Sequence, residues 1–381
     1  MNKLQCKVPF GCITISPQAK DEISNLLSGG GQVTNGPLVK LFEEAFAHKF
    51  RAKNAIAVSS GTDACTIALA SLIDNGLSRG DEVIIPALTF VATANAVVNA
   101  GLVPRFVDVE GDTLNIDPVQ IEYAITEKTK AIMIVHLMGK PCNMHEIMKV
   151  VEKYKLILIE DCAEAHGAEY YGLPVGSFGK LACYSLYAAH IVSSIEGGMI
   201  TTNDDATANR CKELRNHGLK LNGSNWTFDK IGFSSKMNEL EAAVGLGNLN
   251  DFDTIIAKRK SNFEYLTKGL EPYWKYFYTI KPGEYDVLSP HAFAILTNIE
   301  TVDKDKFVKF LTEKGIDNRN LFYSIPTQAD CYKYLGYSYG QFPMAEESSL
   351  IGTHIGIHQD LSIDQLNYVI ESIKEFIDGL S

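Results

Sequence analysis

The sequence predicts a mixed α/β chain, with one large domain on a mostly parallel, helix-covered sheet and a smaller α+β domain after it. Two observations carry this. Seven short apolar runs alternate with longer helical patterns: AIAVSS (55–60), EVIIPA (82–87), VPRFVDV (103–109), KAIMIVHL (130–137), LILIED (156–161), KLACYSLY (180–187) and GGMITTN (197–203). Such alternation is the mark of crossover units and parallel strands. The texture then changes near residue 250. A helical stretch from Asn238 to Asn250 gives way to a charged helix, Asp251 to Asn262, that reads as a bridge. The remainder runs to an amphipathic helix at Ser362 to Asp378. The expected division is residues 1–250 and 251–381.

Composition sets outer limits. A chain of 381 residues with 46% hydrophobic content can bury two cores. Its 35 basic and 46 acidic residues leave a net charge of −11, and no block of five basic residues occurs. Nucleic acid and acidic membrane surfaces are therefore disfavoured as partners. The eight cysteines (Cys6, Cys12, Cys65, Cys142, Cys162, Cys183, Cys211 and Cys331) are scattered, without a CxxC or CxC pair. They read as mostly buried thiols in a reducing compartment. The start, MNKLQCKVPFGCITISP, lacks the apolar core of a signal peptide, so the cytoplasm is the expected location.

Three places carry chemistry. Ser59-Ser60-Gly61-Thr62-Asp63 ends one strand and opens a helical run, where small residues let backbone N–H groups approach a phosphate. The same residues also suit an ordinary helix cap. Glu160-Asp161 closes the apolar strand beginning at Leu156, at the carboxyl edge where open α/β sheets bind ligands. A carboxylate there needs a partner, whether a ligand's cation, a cap or an ion pair. Finally, the strand KLACYSLY ends in a loop carrying Ser185 and His190 before Gly197-Gly198 re-enters a strand. A lone histidine in such a loop is more often structural than catalytic.

Taken together, these places resemble the DegT/DnrJ/EryC1/StrS sugar aminotransferases. The likeness extends through GPLVKLFEEAFAHKF (36–50), IPALTFVATANAVVNAGLVPRFVDV (85–109), EDCAEAHGAEYYG (160–172) and SSKMNELEAAVGLGNL (234–249). The resemblance implies an aspartate-aminotransferase-like fold (fold type I) with a seven-stranded sheet, and pyridoxal 5'-phosphate or pyridoxamine 5'-phosphate as cofactor. It also implies roles residue by residue. Gly61, Thr62 and Ser185 would hold the cofactor phosphate, Phe90 would stack on the ring, and Asp161 would pair with the ring nitrogen. Glu164 would lie beside the phenolic oxygen, where many relatives carry glutamine or histidine. Ser234 falls where relatives read Gly-Tyr-Asn-Phe-Arg-Met and place an asparagine in the neighbouring subunit's site. This chain instead reads Gly232-Phe-Ser-Ser-Lys-Met237.

The largest departure is His190, which stands where the family's lysine links covalently to the cofactor. An imidazole cannot make that stable link, but it can move protons near neutral pH. One branch of the family shares the substitution: 3-dehydratases acting on nucleotide-linked 4-keto-6-deoxyhexoses, such as GDP-4-keto-6-deoxymannose 3-dehydratase. Absence of a CxC pair points to its cluster-free kind, which needs only glutamate to regenerate the amine, and no metal is implied. Two other readings stay open: a sugar aminotransferase whose lysine is replaced by histidine, naturally or by design, and a non-catalytic relative that binds cofactor or sugar. Either enzyme would act on a nucleotide-linked or free keto sugar within deoxysugar or lipopolysaccharide biosynthesis. Tyr187 and Arg319 are the candidate substrate contacts, with His217, Lys220, Lys236, His354 and His358 as further polar residues of the loops. Family members are homodimers with shared sites, so a homodimer is expected.

Overall fold

The computed structural model describes residues 6–29, 31–222, 225–322 and 325–380. All seven apolar runs become strands: β1 (Asn54–Val58), β2 (Glu82–Pro86), β3 (Val103–Val107), β4 (Thr129–Val135), β5 (Ile157–Asp161), β6 (Leu181–Ser185) and β7 (Gly198–Thr202). They form one sheet in the order β1-β7-β6-β5-β4-β2-β3. Neighbours from β3 through β6 are parallel, while β7 runs against both β1 and β6. Helices cover both faces, which is why the strands are apolar along almost their whole length. The helix Gly61–Ser71 is itself buried along most of its length, from Ala64 to Leu69.

The helix Glu239–Asn250, held by a capping box between Asn238 and Glu241, stops at Asp251, where the helix Phe252–Gly269 begins. This second helix runs past the expected end at Asn262, because Phe263 and Leu266 continue the buried stripe of Ile255, Ile256, Arg259 and Asn262. Beyond it lies a four-stranded antiparallel sheet in the order Phe277–Tyr278, Phe293–Thr297, Gly352–Ile355, Asn318–Asn320. The helix Ile363–Asp378 starts at a Ser362 capping box. Its core draws in Val8 from the opposite end of the chain, and Ile280, Ala294, Leu296, Leu321 and Phe342 pack instead with the large sheet. The two sheets therefore share residues across position 250. Cys65, Cys142, Cys162, Cys183 and Cys211 are buried free thiols, whereas Cys6 and Cys331 are exposed.

Glu160 fixes the loops beyond β5. Its fully buried carboxylate accepts from the N–H groups of Gly176 (2.7 Å), Phe178 (2.8 Å) and Gly179 (2.6 Å), and from His136 Nε2 (3.1 Å). A carboxylate only accepts, so the His136 proton sits on Nε2, leaving Nδ1 to accept from the Cys142 N–H at 3.0 Å. Glu160→Ala strands these donors in the interior, and urea denaturation is expected to show a loss of about 3 kcal/mol or more. A stability within ~0.5 kcal/mol of wild type would show that the cradle contributes nothing.

Candidate active site

The carboxyl ends of β1, β5 and β6 meet at one edge of the sheet, as parallel strands in an open α/β sheet require. At the β1 end, Ser60 caps the helix Gly61–Ser71, its hydroxyl accepting from the Asp63 N–H at 3.1 Å. The capping role and the close approach occur at the same turn. A Cβ on Gly61 would lie 2.7 Å from the Cβ of Ser185, and one on Gly198 would strike the Ser60 carbonyl. The turn, Ser185 and the start of β7 are thus pressed together around the positive end of a helix. Gly61, Thr62 and Ser185 are all partly accessible there.

Asp161 faces the same edge. Its carboxylate is 6% exposed and accepts from Thr93 Oγ1 and the Ala163 N–H, each at 3.1 Å, with Cys65 Sγ at 3.9 Å. Among the described residues no lysine, arginine or histidine makes an ion pair with it. Burial accordingly raises its pKa above the ordinary aspartate value, against the pull of the Ala163 and Thr93 bonds. Glu164 accepts from the Met138 N–H at 2.7 Å and lies 3.9 Å from His291 Nε2. Burial pushes it up to about 7, the Met138 N–H opposing and the Asp161 charge adding to the rise.

His190 is anchored from behind. Its Nδ1 lies 2.5 Å from the Ala163 carbonyl, two residues beyond Asp161. A carbonyl only accepts, so Nδ1 carries the proton and the Nε2 lone pair is left for a reacting group. Burial drops the imidazole pKa to about 4; the Ala163 bond opposes this, and the charges of Arg259 and Arg319 add to it. Its ring leans on His291, with centroids 4.8 Å apart, and the Tyr187 ring is edge-on at 6.0 Å. Tyr187 is 40% exposed. Arg319, on the four-stranded sheet, lies over the Phe10 ring at 4.0 Å, and Phe10 contacts both His291 and His354.

Phe90 begins the helix Val91–Asn99 with its ring 61% exposed, so it is not a core aromatic. Ser234 is exposed beside β1, its backbone bridging Asn216. Of the other loop residues, Lys236 bonds Asn216 Oδ1 and Lys220 pairs with Asp229. His354 and His358 are buried. Sequence reasoning did not single out Thr93 or His291 for this place. Thr93 sits inside an ordinary helical run, and His291 is brought in from more than a hundred residues away, so neither carried a local signal.

The chain matches known proteins along nearly its whole length. The family model described as the DegT/DnrJ/EryC1/StrS aminotransferase family matches residues 14–374. The chain belongs to that family. GDP-perosamine synthase of Escherichia coli O157:H7 is 32% identical over 369 residues, covering 97% of this chain and 98% of that one. Among solved structures, PseC of Helicobacter pylori, an aminotransferase involved in the biosynthesis of pseudoaminic acid, superposes with a TM-score of 0.91 at 26% identity, covering 98% and 99% of the two chains. A histidine-to-asparagine mutant of GDP-4-keto-6-deoxymannose-3-dehydratase, with bound GDP-perosamine, superposes at 0.89 with 27% identity over 96% and 100%.

A pyridoxal-type cofactor of DegT/DnrJ/EryC1/StrS enzymes fits the residues present. Among the described residues Asp161 is buried without an ion-pair partner, Gly61 packs at the helix start where a Cβ would press into Ser185, and the Phe90 side chain is mostly exposed, with the Phe322 ring at 6.4 Å on one side. Among the described lysines, Lys140 pairs with Asp286 and Lys236 bonds Asn216 Oδ1.

Two outcomes follow. Thr93→Val removes a donor to Asp161 and should weaken pyridoxamine phosphate binding about tenfold, since one charge-assisted bond contributes roughly 1.5 kcal/mol; fluorescence titration with unchanged affinity would refute the assignment. The second concerns acid. Burial holds His166, His190, His291 and His354 below the usual 6.5, with His190 at about 4 and His354 at about 3. The unfolded chain therefore binds more protons than the folded one below about pH 6.5. Their contribution to stability is whole above that pH and is lost as pH falls towards 4, so the urea midpoint of the cofactor-free protein should drop steadily between pH 7 and pH 5.

Proposed function

We propose that the chain is a pyridoxamine-phosphate-dependent 3-dehydratase that removes the C3 hydroxyl of a nucleotide-linked 4-keto-6-deoxyhexose. The observation that carries this is His190, a neutral imidazole with Nδ1–H held by the Ala163 carbonyl and, among the described residues, no partner on Nε2, together with Asp161, which has no ion-pair partner among them. Bound cofactor supplies an amine for the sugar ketone and a ring able to accept electrons. The chain supplies the rest. Asp161 holds the ring nitrogen in its protonated form, and Gly61, Thr62 and Ser185 bind the phosphate at a helix terminus. Phe90 covers the ring, and Glu164, near neutral charge balance at about 7, meets its phenolic oxygen.

His190 Nε2 takes a proton as base and returns it to the departing C3 oxygen as acid, which its neutral resting form permits. Tyr187, edge-on to the imidazole at 6.0 Å, and Arg319, on the four-stranded sheet over Phe10 and within electrostatic reach of His190, would contact a sugar and its diphosphate. Glutamate restores the amine after each turnover. We further infer a homodimer, in which exposed Ser234 reaches the partner's phosphate, and a division of the chain near residue 250. An aminotransferase acting on a keto sugar is the second reading, favoured by the resemblance to GDP-perosamine synthase and PseC.

The nitrogen balance decides between them. With a GDP- or dTDP-linked 4-keto-6-deoxyhexose, a dehydratase releases one ammonia for each 2-oxoglutarate formed from glutamate, and the sugar product lacks one oxygen by mass. An aminotransferase releases none, and its product carries the amine. His190→Asn is expected to lower turnover about 10²- to 10⁴-fold while cofactor still binds. His190→Lys should gain a borohydride-fixed cofactor adduct that the native chain never shows. A fixed adduct in the native chain would overturn the dehydratase reading.

A further inference from the structure

A second cluster of chemistry-bearing side chains lies where the N-terminal segment crosses the loop after the strand Gly352–Ile355. Cys12, His358 and Asp360 bring a sulfur, a ring nitrogen and a carboxylate oxygen to within 4.8 Å of one another. His358 is 2% exposed, and among the described residues neither ring nitrogen makes a hydrogen bond of good geometry, although the Pro9 backbone lies within reach of the ring. Leaving a buried imidazole without well-formed hydrogen bonds is costly unless something outside the chain completes it.

The surroundings are those of a prepared ligand set. Gln359 Nε2 donates to Cys12 Sγ at 3.2 Å, and Thr14 Oγ1 donates to Asp360 Oδ2 at 3.3 Å. Asn262 Nδ2 fixes the loop by donating to the carbonyls of Ile357 (3.3 Å) and His358 (2.9 Å). Donors of this kind orient the ligand atoms. The other compact group of the same residue types, His136, Glu160 and Cys162, is different, because His136 and Glu160 spend their polar atoms on each other and on backbone N–H groups.

We propose that Cys12, His358 and Asp360 form a binding site for a divalent cation of the zinc type, with a fourth position open to solvent. A mixed sulfur, nitrogen and oxygen set is borderline in softness and suits Zn²⁺ or Co²⁺ over Mg²⁺ or Ca²⁺. The buried Arg259 guanidinium lies close enough to interact with Cys12 and Asp360 and offsets one of the two anionic ligands, so affinity is moderate. Binding displaces the thiol proton and ties residues 12–14 to residues 357–360. Gly11 lies against Ala189, next to His190, so the tie borders the loop that carries the imidazole.

The test is Co²⁺ titration of the chelator-treated, full-length protein, followed by absorption spectroscopy and equilibrium dialysis. One ion per chain and a thiolate-to-cobalt charge-transfer band are expected. Cys12→Ser should abolish the band, His358→Ala should weaken binding at least tenfold, and Gln359→Ala should weaken it about tenfold while keeping the band. Absence of stoichiometric binding, or an undiminished band in Cys12→Ser, would overturn the proposal. Should Cys12→Ser fail to give the native far-ultraviolet spectrum, His358→Ala decides in its place: unchanged affinity refutes the site.

Discussion

The site depends on the pleat at the end of β5. Successive side chains of a strand point to opposite faces, so the adjacent carboxylates of Glu160 and Asp161 enter different worlds. Glu160 is saturated by three backbone N–H groups and His136, and it organises the loop that follows. Among the described residues Asp161 receives only neutral donors, and it stands at the carboxyl edge of the sheet. A one-residue slip would exchange them, placing the loop's anchor at that edge and the edge's anion under the loop.

From Asp161 the constraint passes to His190 through the backbone. The Ala163 carbonyl, on the turn that Asp161 caps, is also the acceptor for His190 Nδ1. One short turn thereby fixes both a carboxylate and the tautomer of an imidazole. His291 and Glu164 close the space behind, with Met138 and the segment around Ser289 held against them. Burial is what makes these groups unusual, since it raises the carboxyls and lowers the histidines at once. A cluster of buried groups of that kind is vulnerable to acid.

Much of this was legible in the sequence. The seven strands follow from seven apolar runs, because a parallel sheet covered on both faces demands near-continuous hydrophobicity. Asn238 and Ser362 announce their helices through local capping boxes. The ordered blocks that the chain shares with its family span nearly its whole length, in keeping with the family match over residues 14–374. Each signal is local, carried within a few residues of one strand end.

Tertiary structure decided what no local pattern holds. Thr93, His291 and Phe10 gather around Asp161 and His190 from three distant segments, and only the packing of two sheets brings them there. The core past residue 250 recruits Val8, so the tidy boundary suggested by composition is crossed by the segment around that residue. Cys12 reads as one scattered thiol, yet the fold sets it beside His358 and Asp360, almost the whole chain away. Sequence determined which elements form, because periodicity and caps act over a few residues. Protonation states and ligand sets were left to the fold, because desolvation and charge act through space.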